Sequence, residues 1–329
     1  MSDTNHLHPP LEAATFAEQE RPPSVLNLLN QSNRRLERLL QTLHNERNAE
    51  GELREIAHDV IHAVALNPDI ALATIFLSQI AGTYAVRHCI ETAVVTVVIA
   101  RRMGKSEAEI QTVAAAALTM NVGMLRHCEN FQNKSGPLNT DEMSVVRRHP
   151  EESADLLKYA GVQDQEWISC VLLHHENDAG SGYPAGIASP EVTLNAKLLS
   201  LADRYCAQVS ARNYRKSILS DQALRNLHDD KAAPVDPALL EHFQRELGDF
   251  PPGCLVRLAA GEIGVVSRRQ GCSNGLQVHC LRDPSGAMMA QAQPRCLSDG
   301  EWRITEALTE DQASTRFSMK QIWGQQASL

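Results

Sequence analysis

The stretch His174-His175-Glu176-Asn177-Asp178-Ala179-Gly180-Ser181-Gly182-Tyr183-Pro184 decides how this 329-residue chain is read. Two adjacent imidazoles and a carboxyl side chain close a helical run, and a Gly-Tyr-Pro turn ends the segment, since glycine and proline are the strongest local breakers of regular structure. Asp164 to His175 reads as a helix and Leu194 to Ser210 as another, so the stretch joins two helices.

Length and charge bound what surrounds it. The chain is long enough for about two domains with a real core. Its formal net charge of -9 argues against a polymeric nucleic acid as partner, because phosphate backbones are held by lysine and arginine in excess. A small anionic ligand in a local basic pocket remains compatible with that charge. The eight cysteines are scattered without a Cys-x-x-Cys pair, which predicts reduced thiols and a cytoplasmic protein. Met1 to Pro23 is polar and proline-bearing, reads as a disordered tail, and lacks the pattern of a secretion signal. The longest apolar run, Ala93 to Ala100 interrupted by Thr96, is far below the roughly 20 residues that span a bilayer, so no membrane is expected.

The body of the chain is patterned as helix. Val25, Leu29, Leu36, Leu39, Leu40 and Leu43 recur at helical spacing after Ser24, a candidate cap. That stripe reads most simply as a face packed on the rest of the protein; a seam between two copies, giving a homodimer, is the sharper alternative. Leu53 to Val64 forms an amphipathic face ended by Asn67-Pro68. Helices are predicted over Ala71–Ile80, Tyr84–Met103, Glu107–Leu125, Thr140–Ala160 and Asp221–Leu227, with Ser106 and Thr140 as caps. After Phe250-Pro251-Pro252-Gly253 the period changes to short strand-like runs, Leu255–Leu258, Ile263–Val266 and Leu276–Leu281, separated by turn residues. The expected architecture is mainly α: a tail (1–23), an N-terminal helical segment (24–80), a helical bundle domain (81–248) and a small β-rich module (249–329).

The opening stretch resembles the signature of the HD-GYP phosphohydrolase family, His-His-Glu, two variable residues, then Asp-Gly-x-Gly-Tyr-Pro. The resemblance runs from about Tyr84 to Leu227 and includes Lys134 to Leu138, Arg148-His149-Pro150 and Ser210 to Arg215. It implies an HD-type bundle in which histidines and carboxylates gather divalent metals for phosphodiester hydrolysis. Carried over residue by residue, it makes His88, His149, His174, His175 and Asp203 metal ligands. Arg212 and Arg215 become the grip on ligand phosphates, and Gly182, Tyr183 and Pro184 part of the ligand-binding turn. Apart from the resemblance, His88 on a buried helix reads as a hydrogen-bonded core histidine, and Arg212 and Arg215 as surface arginines.

The departures fall where catalysis would be. The family's His-Asp-x-Gly-Lys text is Met120-Asn121-Val122-Gly123-Met124 here. A thioether and a neutral amide are poor ligands for manganese, magnesium or ferrous iron, and the phosphate-facing lysine has become Met124. The acid one turn before the first histidine is Tyr84, and the aspartate of the Gly-Tyr-Pro text is Ala179, with Asp178 beside it. His58-Asp59 is a literal His-Asp pair, but it lies some 60 residues too early and reads as a helix-surface pair. The expectation is a signalling protein with a degenerate, inactive site that senses cyclic di-GMP or docks on partner signalling proteins. It retains at most one divalent metal (manganese, iron or zinc) on His149, His174, His175 and Asp203. The alternative is a metal-dependent phosphodiesterase that recruits Asn121 and Asp178.

Overall fold

The structure, a computed structural model, describes residues 23–134, 136–188, 190–210, 217–272, 275–297 and 300–329, with backbone only at 132 and 270–272. The tail 1–22 and the pair Arg212 and Arg215 lie outside the described residues.

Helix α1 (Val25–Thr42) begins where the Ser24 hydroxyl accepts from the Asn27 N–H, as the cap pattern predicts. Its leucines are covered by the same chain: Leu36 is fully buried and Leu40 nearly so, in one cluster with α2 (Glu50–Leu66) and the helices that follow. The stripe is core, and the seam between two copies through Leu36 and Leu40 is not available. α3 (Pro68–Phe76) starts earlier than the expected Ala71, because Asn67 accepts from the Asp69 and Ile70 N–H groups and Pro68 occupies the first turn, where no N–H is needed. His58 is exposed and Asp59 is bound to Arg35 at 2.7 Å, so that dipeptide is the surface pair it was read to be.

α4 (Tyr84–Arg102) is buried almost all round and forms the axis of the bundle. α5 (Glu107–Thr119) opens with a capping box between Ser106 and Glu109, but ends six residues before the predicted Leu125. A 3-10 turn, Val122–Met124, follows, and α6 (Leu125–Gln132) resumes as a separate helix. The reason is close packing: a Cβ on Gly123 would lie 2.8 Å from the His149 carbonyl and 2.7 Å from the Ser153 nitrogen. α7 (Thr140–Tyr159) is capped by Asn139 rather than Thr140, with Glu142 closing the box. α8 (Gln165–Leu173), α9 (Leu194–Val209), α10 (Ser220–Asp229) and α11 (Pro237–Leu247) complete the bundle.

The C-terminal part is one antiparallel five-stranded sheet of order β4-β3-β2-β1-β5. β1 (Leu255–Leu258), β2 (Ile263–Cys272), β3 (Gly275–Arg282) and β4 (Met288–Cys296) form a meander, and β5 (Ile304–Leu308) returns beside β1. β4 escaped the sequence reading because it is mostly exposed and carries none of the β-branched or aromatic residues that mark a strand. Two short helices follow, α12 (Glu310–Ala313) and α13 (Met319–Trp323), and Met319 and Ala327 join the core of the helical bundle. Arg269 on β2 clamps sheet to bundle, with its guanidinium 2.7 Å from Asp69 on α3 and 2.7 Å from Glu246 on α11. Six described cysteines are free and buried, but Cys296 is disulfide-bonded, which corrects the expectation of reduced thiols throughout. Strand pairing joins residues distant in sequence, and spacing alone cannot report it. No single described helix is long and apolar enough to cross a membrane.

Candidate functional site

The site lies where α4, α7, α8 and α9 meet. Proline inside α7 supplies its first element. Pro150 has no N–H for the Val146 carbonyl four residues back, and the His149 ring takes that carbonyl instead, Nδ1 donating to the Val146 oxygen at 2.6 Å. The His174 Nδ1 makes the matching bond at the end of α8, donating to the Val171 carbonyl at 2.6 Å, one of the last carbonyls that a helix leaves without a full set of partners. Both rings are thereby turned so that their Nε2 atoms face each other, 3.2 Å apart and out of contact with solvent. His175 completes the group, its ring centroid 4.1 Å from His174 and 5.0 Å from His149.

This arrangement asks for a cation. With each Nδ1 donating to a carbonyl, a neutral imidazole offers only a lone pair at Nε2, and two lone pairs at hydrogen-bond distance repel. Protonation would relieve the clash, but burial pushes the His149 pKa down to about 3, helped by the neighbouring His174, and burial also lowers His174 and His175. Three neutral imidazoles whose ligand atoms lie within 4.8 Å of one another form a donor set suited to one divalent ion. His149, His174 and His175 would hold it, and Asp203 is close enough to act on all three electrostatically. A metal so held supplies a Lewis acid to an oxygen ligand.

The other expected ligands are divided. His88 donates from Nε2 to Asp203 Oδ1, 2.8 Å away, and Tyr84 stacks on its ring at 5.4 Å. Burial pushes the Asp203 carboxyl up, yet the His88 hydrogen bond and the surrounding imidazoles outweigh it, so the net shift is downward. Met120 is fully buried in the apolar core and Asn121 nearly so, its Oδ1 without a hydrogen-bond partner among the described residues; Met124 is half-buried. The Gly123 N–H donates to Ser153 on α7 at 2.9 Å, which holds this loop beside the helix that carries His149. Asp178 is not recruited to the cluster: Lys197 holds it at 2.6 Å.

The Gly-Tyr-Pro turn folds back over the imidazoles. The Tyr183 N–H donates to the His175 carbonyl at 3.1 Å, and its ring stacks on His175 at 4.6 Å, 28° from parallel. Gly182 is required here, since a Cβ would stand 2.4 Å from the His175 oxygen. Pro184 follows through a cis peptide bond. Two parts of this machinery were not read from the sequence as functional. The Val146 carbonyl was signalled by the His-Pro step, and Glu176 by its place in the opening stretch; its Oε1 accepts from the Ala185 and Gly186 N–H groups at 2.7 and 2.9 Å. Beside Asp203 opens a cavity of about 520 Å³, lined by Arg204, Gln208, Asn226, Asp229 and Asp230. A larger cavity of about 710 Å³ between α1, α6 and α7 has Val122 and Gly123 in its wall and lies away from the imidazoles.

Comparison with known proteins agrees with this geometry. The family model described as the HD domain matches residues 71–239, about half of the chain, and the chain belongs to that family. It is 28% identical over 228 residues to a cyclic di-GMP phosphodiesterase of Pseudomonas aeruginosa, covering 68% of this chain and 55% of that protein. It is 31% identical over 176 residues to a cyclic di-GMP phosphodiesterase response regulator of Xanthomonas campestris, covering 53% and 44%. The chain thus spans about half the length of these curated relatives. Among solved structures, an HDG"Y"P protein from Bdellovibrio bacteriovorus superposes with a TM-score of 0.55 at 15% identity, over 71% of this chain and 74% of that one, which shows a shared fold.

Proposed function

We propose that this chain is a cytoplasmic signalling protein that binds a cyclic dinucleotide such as cyclic di-GMP at a degenerate HD-GYP site and does not hydrolyse it efficiently, with docking on partner signalling proteins as its output. One observation carries the reading. The side chain of Met120 is packed in the apolar core at the position where the family text has a histidine, while the imidazoles of His149, His174 and His175 remain assembled. That leaves a place for one divalent metal, manganese, iron or zinc, and no bridging carboxylate at position 121. Groups that act as one catalytic unit lose activity together when any is removed. The phosphodiesterase alternative, with Asn121 and Asp178 recruited, would have to break the Asp178–Lys197 pair.

Calorimetry against cyclic di-GMP, paired with a hydrolysis assay in excess manganese, magnesium or ferrous iron, tests the reading. Binding without appreciable turnover is expected. Arg212→Ala, which removes a cation that the resemblance assigns to the phosphates, should weaken binding on the order of ten- to a hundredfold, since a hydrogen bond to a charged group is worth about 1.5–3 kcal/mol. Turnover near ordinary enzyme rates, abolished by His174→Ala, would make the chain a phosphodiesterase. No binding at high ligand concentration would remove the sensing role and leave partner docking.

A further inference from the structure

We propose that Glu176 is the positioning residue that places Tyr183 over the imidazole cluster, and so sets the ligand-facing wall of the site. This rests on the cyclic dinucleotide reading only for the ligand; the placement itself stands on geometry. Glu176 follows His175 directly, and its side chain is almost completely buried. Among the described residues its carboxyl makes no ion pair; instead Oε1 takes two successive peptide N–H groups, Ala185 at 2.7 Å and Gly186 at 2.9 Å, while Oε2 has no partner there. Burying a carboxyl group without a cation is costly, and the two bonds it makes fall on the residues that follow Pro184.

The consequence is a closed loop. The chain leaves α8 at His174, runs out through Asn177, whose Oδ1 accepts from the Ala179 and Ser181 N–H groups at 3.1 and 3.2 Å, and is drawn back by Glu176 after Pro184. Gly182 lies against the backbone of His175 and Glu176, where a Cβ would be 2.5 Å from the Glu176 Cα and 2.8 Å from its Oε2. Between these two anchors Tyr183 has one place to put its ring, on His175. Ala179 departs from the family text within this loop, yet the loop closes through Asn177 and Glu176 without a carboxylate at that position.

The test reads Tyr183 directly. A tyrosine ring stacked on an imidazole displaces the Cε1 proton of that imidazole upfield by its ring current, so the His175 signal, assigned with His175→Asn, reports the stack in histidine-labelled protein. Two variants are measured beside the wild type. Glu176→Gln keeps an acceptor for both N–H groups and should retain the displacement. Glu176→Asp keeps the charge but withdraws the acceptor by one methylene and should lose it, with cyclic di-GMP binding about tenfold weaker at a temperature where circular dichroism shows the fold intact. A His175 signal unchanged in Glu176→Asp overturns the proposal, as does loss of the signal in Glu176→Gln with the helical content preserved. If the wild type binds no cyclic di-GMP, the functional reading fails while the His175 signal still decides the role of Glu176.

Discussion

His149 and His174 present their Nε2 atoms to each other across 3.2 Å, each ring fixed by an Nδ1 hydrogen bond to a main-chain carbonyl of its own helix. Neither ring can turn to offer a proton without giving up a buried hydrogen bond, and leaving such a carbonyl unpaired costs about 1–3 kcal/mol.

That relationship predicts metal content. Elemental analysis of protein loaded with zinc or manganese should find about one ion per chain, and His149→Ala or His174→Ala should each remove it. Metal that binds only the folded chain stabilises by about 2.7 kcal/mol at a hundredfold excess over its Kd, so a chelator should lower the melting temperature by several degrees in the wild type. In the histidine variants the chelator should change nothing. Full metal loading in His174→Ala would mean that the imidazole cluster is not the site.

A second prediction concerns the replaced motif. Met120→His with Asn121→Asp and Met124→Lys should raise bound metal from about one ion per chain toward two, because the loop that carries these positions is already locked to α7 by Gly123 and Ser153 beside His149. Met120 is wholly buried, so an imidazole there without a metal is an unsatisfied polar group and the apo variant should be the less stable one. A triple variant that folds but gains no metal would show that the pocket around position 121 has closed.

The fold could be read from the sequence because it follows from residue type and short spacing, as the buried α4 and the cap at Ser106 do. The candidate ligands came instead from the resemblance, and of them the structure gathers His149, His174 and His175 into one group. What the sequence hid depends on long-range contact. The break after Thr119 is set by Gly123 meeting α7 some thirty residues on; β4 is an exposed edge without β-branched or aromatic residues; and the return of Met319 into the bundle core joins distant segments. The leucine stripe of α1 illustrates the limit most plainly, since an amphipathic face looks the same whether its partner is a second copy or the same chain.

That stripe yields the third prediction. Leu36→Glu with Leu40→Glu places two carboxylates into a core where both leucines are covered by the same chain. Losing the two side chains alone would cost about 2–5 kcal/mol each, and an unpaired buried charge costs more, which together exceed a typical stability of about 5–15 kcal/mol at its lower end. The expected result is loss of the cooperative thermal transition. A well-folded variant whose only change in light scattering is from dimer to monomer would restore the seam between copies.

The last prediction ties stability to the helix that delivers His174. Asp164 caps α8, its Oδ1 accepting from the Trp167 N–H at 3.0 Å, while Oδ2 accepts from Arg54 at 2.9 Å and from Thr112 at 3.0 Å. Burial raises its pKa, but these hydrogen bonds outweigh burial, so the folded-state value lies below the unfolded one. A depressed carboxyl stabilises the fold above its unfolded pKa, about 3.9, and that contribution is lost as pH falls through the folded value. Asp164→Ala should therefore cost about 0.5–2 kcal/mol in urea unfolding, a loss that stays level from pH 7 to pH 5 and narrows only below about pH 4. Asp164→Asn keeps the cap acceptor and should lose less, because asparagine is as good a cap and only the pairing with Arg54 goes. An Asp164→Ala deficit that already shrinks between pH 7 and pH 5 would assign the pH dependence to another group.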